Sequence, residues 1–270
     1  KALGMKNFFF YEDSNFSSAF GSFLKTRQQK NAEVVGLVGK VIEDVKVRKD
    51  TAVIEYTKKF DNVDLSKVGF FFQLNEIEAS IGKIRSLDKE AIGLSIARVS
   101  EFHKKQIPAN LNWKDELGIE LGWVWKPIDR VGVYVPGGKA SYPSSAIMNI
   151  VPAMVAGVND IVLASPSPNG SYNPLTLYAS IAMDITKILR VGGAQAVAAL
   201  AFGTETIEKV DKITGPGNEY VAEAKRQVFG RVGIDSVAGP SEVLLISDET
   251  MPEKLVAIDL LAQAEHDQNA

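Results

Sequence analysis

The chain contains no cysteine, and only two of its 270 residues are histidine. These residues therefore offer no disulfide, no thiolate metal site and no cysteine nucleophile to hold an aldehyde, which excludes covalent aldehyde-dehydrogenase chemistry from this segment. Positive charge is not in excess either. The 30 Lys and Arg against 33 Asp and Glu leave a net charge of -3, and the basic runs are short, so a nucleic-acid partner is not expected. The longest apolar stretch, Ala146 to Val158, is interrupted by Asn149 and Pro152 and falls short of the ~20 residues a membrane span needs. The opening KALGMKNFFFYEDS has neither a long apolar run nor a small-residue cleavage site, so a soluble, cytoplasmic protein is the expectation. The dinucleotide fingerprint G-x-G-x-x-G is also missing: Gly215-Pro216-Gly217-Asn218 supplies two glycines, but Tyr220 stands where the third belongs.

An apolar content of 46% is enough for a substantial core. The first third reads as helix. Phe16 to Lys30, Ala32 to Val47 and an Asp50-capped Thr51 to Phe60 carry apolar residues at helical spacing, with Val34, Val35, Val38, Val41, Ile42 and Val45 on one face. Val68 to Leu74 reads as a first strand, and Asn75 as the N-cap of the next helix. A further helix, Leu87 to Gln106, stops before Pro108; His103, on that amphipathic run, reads as structural. Ile119, Leu121, Trp123 and Trp125 alternate at period two, so Gly118 to Trp125 is a strand or one arm of a hairpin.

From Arg130 the rhythm becomes a βαβ alternation. The strands are Val131 to Val135, Asp160 to Ala164, Lys187 to Val191 and Lys209 to Ile213, with helices starting near Ser145, Pro174, Ala194 and Asn218. Parallel order would bring the loops PGGKASYPSS, SPSPNG, GGAQ and GPGN to the carboxyl edge of one sheet. A last strand, Val243 to Ile246, follows the Gly239-Pro240-Ser241 turn and leads into the helix carrying Asp259 to Asp267. Gln263 and His266 lie three apart there, on one helix face, as either a metal or substrate pair or two solvated side chains. The aromatic cluster Phe8, Phe9, Phe10, Tyr11, Phe16, Phe20 and Phe23 is too rich for a loose tail, so it is expected to pack on the globular body or a second subunit.

Five segments in order carry a resemblance along nearly the whole chain: RVGVYVPGG (Arg130 to Gly138), YPSSAIMN (Tyr142 to Asn149), VGGAQA (Val191 to Ala196), GPGNEYVAEAKRQV (Gly215 to Val228), and AGPSEVLLISDE running on into LAQAEHD. Together they resemble histidinol dehydrogenase, a zinc- and NAD-dependent oxidoreductase. Members oxidise L-histidinol through L-histidinal to L-histidine with two NAD+, the last two steps of histidine biosynthesis. The resemblance implies an α/β fold with incomplete Rossmann-like parallel sheets in two domains, of aldehyde-dehydrogenase-like architecture, behind a helical N-terminal region. It divides the chain into 1–129 (arm and first part of the first α/β domain), 130–238 (NAD-binding domain) and 239–270 (a return to the first domain carrying the zinc-ligand helix).

By the same resemblance Tyr134, Gln195 and Asn218 contact NAD, Gln263 and His266 bind zinc, and Ser241 touches the substrate together with them. An Asp and a second His complete the zinc shell in the family, and an adjacent Glu-His pair supplies the catalytic bases. All of these are expected downstream of Ala270, and Glu265-His266 is not that pair. The 270 residues are accordingly read as the amino-terminal majority of a homodimeric enzyme, inactive alone. The competing reading is a non-catalytic dinucleotide-binding or assembly module of the same fold.

Overall fold

The computed structural model describes residues 9–82, 84–137, 143–237 and 243–266. Helix α1 (Phe16–Arg48) runs unbroken where the pattern predicts two helices. The only interruption in that pattern is Asn31, and an asparagine inside a helix costs just a fraction of a kcal/mol, too little to break it. Val38, Val41, Ile42 and Val45 form its buried stripe, whereas Val35 lies outside it. The aromatic arm packs on the first turns of α1 itself, with Phe9 5.6 Å from Phe20 and Tyr11 5.4 Å from Phe16 between ring centroids; Phe8 lies outside the described residues.

Helix α2 (Asp50–Asp61) follows a tight reversal at Lys49. Asp50 is not its cap. Its carboxylate instead accepts the Thr206 hydroxyl at 2.6 Å, tying the start of α2 to a loop 156 residues away. The strand predicted over Val68 to Leu74 does not form. α3 (Leu65–Val68) ends at Gly69 with φ +79, Phe71 makes a single antiparallel bridge to Leu189, and α4 (Leu74–Ile81) has already begun at Leu74. Gln73, not Asn75, is the N-cap: the Glu76 carboxylate reaches back to its N–H at 2.7 Å. The buried Arg190 guanidinium fixes this segment by donating to Phe71 O (3.0 Å) and Glu76 (2.6 Å) and lying over the Phe72 ring.

α5 (Ser86–Lys104) carries His103 in its last turn, where the ring Nδ1 meets Gln106 Oε1 at 2.7 Å in an exposed contact. β1 (Leu111–Lys114) and β2 (Glu120–Trp123) form the antiparallel hairpin, exposed along both strands, with Trp113 and Trp123 edge to face at 5.5 Å.

The alternation from Arg130 folds as β3 (Arg130–Tyr134), α6 (Pro143–Ala156), β4 (Asp160–Ala164), α7 (Pro174–Ile181), β5 (Ile188–Leu189), α8 (Gly193–Phe202), β6 (Lys212–Thr214), α9 (Glu219–Val228) and β7 (Gly233–Ile234). All five strands are parallel, in the order β5-β4-β3-β6-β7. Two predicted strands shorten or slide, Lys187 to Val191 to a residue pair and Lys209 to Ile213 towards Thr214, and β7 carries no sequence signal. The strand predicted over Val243 to Ile246 is absent. Val243, Leu244 and Ile246 are 45%, 84% and 90% exposed, and an apolar tetrad becomes a strand only beside an edge that pairs with it. α10 (Glu253–His266) closes the described chain, with Leu255, Ile258, Leu260 and Leu261 facing solvent.

β3 and β4 are buried on both faces, and successive side chains point to opposite sides of the sheet. Val131, Val133, Val135, Ile161 and Leu163 pack with α4, α5, α6 and α7; Tyr134, Val162 and Ala164 pack with α1, α2, α8 and α9. Helices of the N-terminal third thus cover both faces of the sheet. Among the described residues no helix is long and apolar enough to cross a membrane.

Candidate functional site

Counted from β3, the strand order is third, second, first, fourth, fifth. The chain leaves β3 towards β4 and β5, then crosses to β6 on the other side of β3. Such a reversal opens a crevice at the carboxyl ends of the two central strands, where open α/β sheets hold their ligands. A cavity of about 460 Å³ occupies this place, lined by Tyr134, Gln195 and Asn218 together with Pro136, Pro166 and Asp61. The three predicted dinucleotide contacts, 84 positions apart from first to last in the sequence, therefore meet in one cavity.

Each is positioned by a separate local rule. Tyr134 is the last residue of β3 and is buried; its hydroxyl accepts the Gly193 N–H at 3.1 Å, and burial is the main reason its pKa is pushed up to about 12. Gly193, at φ +64, lets α8 begin close against that hydroxyl, and α8 has no side-chain cap. Gln195 sits in this first turn, 1% exposed, and neither its amide nitrogen nor its oxygen has a hydrogen-bond partner among the described residues. A buried amide left so costs ~1–3 kcal/mol for each unsatisfied group. Asn218 caps α9, its Oδ1 accepting from Tyr220 and Val221 N–H at 3.2 and 3.1 Å.

The GPGN loop is held by an ion pair between the buried Lys225 and the partly exposed Asp235. Lys225, on α9, donates to Gly215 O at 2.9 Å, Asp235 accepts the Gly215 N–H at 2.8 Å, and the two side chains pair with each other. Both polar groups of Gly215 are therefore engaged. Its φ of +118 admits no ordinary side chain, and a Cβ there would overlap the Tyr134 carbonyl oxygen.

Asp61 was not visible as a site residue in the sequence. It ends α2, which returns to the sheet edge only through the tertiary packing of α2 on α8. Its Oδ2 is buried with no hydrogen-bond partner among the described residues, and burial pushes its pKa up to about 6. Phe60 and Tyr220 add partly exposed aromatic planes to the same wall, beside Pro136, Pro166 and Pro168.

The residues expected at a metal are not assembled to the same degree. Gln263 is half-buried on α10 and His266 ends that helix, its side chain outside the described ones; Ser241, expected at the substrate, lies outside the described residues altogether. Among the described residues no group of three or more His, Asp or Glu side chains stands close enough to hold a metal ion. Two positions, one a neutral carboxamide, do not make a zinc shell by themselves.

Comparison with known proteins agrees with the sheet and its loops. The family model described as histidinol dehydrogenase matches residues 24–270. Histidinol dehydrogenase of Cereibacter sphaeroides is 50% identical over 255 residues, 94% of this chain and 59% of that protein; that of Ruegeria pomeroyi is 46% identical over 266 residues, 98% of this chain and 61% of that protein. The chain thus spans about 60% of the length of the curated relatives it matches. The crystal structure of histidinol dehydrogenase from Elizabethkingia anophelis superimposes with a TM-score of 0.77 at 41% identity, over 86% of this chain and 53% of that one. With the sheet, its crevice and the match from residue 24 to residue 270 in agreement, the chain belongs to the histidinol dehydrogenase family.

Proposed function

We propose that this chain supplies the NAD-binding part of histidinol dehydrogenase, an oxidoreductase that converts L-histidinol through L-histidinal to L-histidine in histidine biosynthesis. The observation that carries the reading is Gln195, a carboxamide with both polar atoms unsatisfied in a cavity at the sheet's reversal. A bound dinucleotide would satisfy it. At the start of α8 the N-cap Gly192 has no side chain to cap the helix, and among the described residues only the Gly193 N–H is taken there, by the Tyr134 hydroxyl. That start suits a pyrophosphate, because first-turn N–H groups and the helix dipole both favour an anion. Pro136, Pro166 and Phe60 offer flat apolar surfaces to a ring, while Asn218, whose Oδ1 is engaged in capping, keeps its amide N–H groups for the ligand.

NAD, when bound, supplies the hydride acceptor; these residues hold and orient it. We assign segment 130–238 to this role, 1–129 to the arm and first part of the first α/β domain, and 239–270 to the return segment. Gln263 and His266 are assigned as two zinc ligands and, with Ser241, as substrate contacts. The described residues do not by themselves complete a zinc shell. The whole enzyme is proposed to be a cytoplasmic homodimer with L-histidinol as its small-molecule partner. The 270 residues alone are proposed to bind the dinucleotide without turning it over, since the resemblance assigns both bases and two zinc ligands to positions they do not include.

Isothermal titration of the purified chain with NAD tests this. Binding that is weakened by Tyr134→Phe or Gln195→Ala, with no NADH formed from histidinol and added zinc, is the expected result. Binding unaffected by either change would place the cofactor elsewhere, and NADH formation would remove the requirement for further residues.

A further inference from the structure

We propose that Asp61 is the carboxylate that accepts the hydroxyls of the adenosine ribose and makes this cavity select NAD over NADP; the proposal rests on the dinucleotide reading of the cavity. Doubly wound sheets ordinarily place that acid at the carboxyl end of the second strand, where it binds the ribose 2′-hydroxyl. Here the second strand of the series, β4, runs out into Ala164-Ser165-Pro166-Ser167-Pro168, with no acid in it. Pro166 and Pro168 nevertheless line the cavity as that loop should. The acid arrives from another element: Asp61, the last residue of α2, lines the same cavity beside Pro168 and Tyr134.

Three observations set Asp61 apart from a surface carboxylate. Its Oδ2 is buried and accepts no hydrogen bond from any described residue. Among the described residues no cation pairs with it: Lys58 pairs with Asp64 and Lys59 lies over the Phe60 ring. It lines the same cavity as Tyr134, whose hydroxyl holds the start of α8. A carboxylate in this position is unfavourable to the fold on its own, and hydroxyl donors would relieve it. A ribose diol offers two such donors. The 2′-phosphate of NADP offers a second anion instead, which a desolvated carboxylate repels.

The experiment is titration calorimetry of the chain and of Asp61→Asn with NAD and with NADP at pH 7.5, alongside thermal melts without ligand. The wild-type chain is expected to bind NAD and to bind NADP at least ~10-fold more weakly. Asp61→Asn should lose about 10- to 100-fold in NAD affinity, the range for a hydrogen bond to a charged group, and narrow the preference over NADP. Its unliganded melting temperature should hold or rise, which a carboxylate with a structural role would not permit. NAD binding and selectivity unchanged in Asp61→Asn would overturn the assignment of Asp61 while leaving the cavity reading in place. A lower melting temperature would overturn it as well, by showing that the fold uses the charge. Failure of the wild-type chain to bind either dinucleotide at millimolar concentration would overturn the cavity reading itself, and this proposal with it.

Discussion

Replacing Gln195 by leucine should move stability and binding in opposite directions. The side chain is 1% exposed, and both of its amide atoms lack partners among the described residues. Leucine has a similar volume and no polar atom to satisfy, so the substitution removes the desolvation penalty without opening a large cavity. Each unsatisfied group costs ~1–3 kcal/mol, and some of that returns as imperfect packing of a branched side chain in a straight-chain site, which leaves a net gain of about 1–3 kcal/mol. For a chain of this size that gain is a rise of roughly 3–8 °C in melting temperature. The same change deletes the donor and acceptor offered to the dinucleotide, so NAD should bind about 10- to 100-fold more weakly. Urea unfolding of the unliganded chain and calorimetric titration with NAD measure the two halves. A variant destabilised by more than ~1 kcal/mol, or one that binds NAD as the wild type does, would refute the reasoning, because Gln195 would then be a satisfied core residue.

Other substitutions probe the loops around it. Lys225→Met removes one member of a buried pair and leaves Asp235 and the Gly215 carbonyl without their cation; with Asp235 about a third exposed, unfolding free energy should drop by ~2–4 kcal/mol, below the full cost for a wholly buried pair. Gly215→Ala should cost at least ~3 kcal/mol in the same urea assay, from backbone strain at φ +118 and the overlap with the Tyr134 carbonyl. The contribution of Asp61 to unliganded stability should fall as pH rises from about 4 to about 7. The folded state holds the Asp61 proton up to a pKa of about 6 while the unfolded state releases it near 3.8, so the native state binds more protons across that window. The decline owed to Asp61, on the order of 1–2 kcal/mol after allowance for its partial exposure, should be missing from the pH profile of Asp61→Asn.

That Tyr134, Gln195 and Asn218 share one sheet edge was legible in the sequence, because each belongs to a strand-loop-helix joint and the joints of a parallel series must fall on one edge; the role proposed for them came from the family resemblance. β4 was legible to the residue, since Asp160 to Ala164 is a buried parallel strand with a turn at either end. The N-terminal third was legible as helix but not at its boundaries. Val68 to Leu74 has the composition of a strand, yet Gly69 ends one helix, Gln73 caps another, and only Phe71 bridges to β5. Val243 to Ile246 failed in the converse way: its residues favour a strand, but pairing decides whether one forms, and composition does not report the neighbouring edge.

Asp61 shows where such reading stops. In the sequence it is one acidic residue in Lys58-Lys59-Phe60-Asp61, the polar end of an amphipathic helix, and nothing at that spacing separates it from a solvated carboxylate. Its distinction arises from packing. α1 and α2 lie across α8 and α9, and the end of α2 therefore meets Tyr134 and Pro168 at the carboxyl edge of a sheet that begins 69 positions later in the chain. The packing that buries Val38, Val41, Ala52 and Val53 is thus the same packing that desolvates Asp61. Burial of the apolar face favours the fold by ~1.5–3 kcal/mol for each fully buried large side chain, and that surplus allows one unfavourable carboxylate to be held in the cavity wall. A fold can keep a group like Asp61 only where it has stability in excess, and a ligand that satisfies the group recovers its cost as affinity.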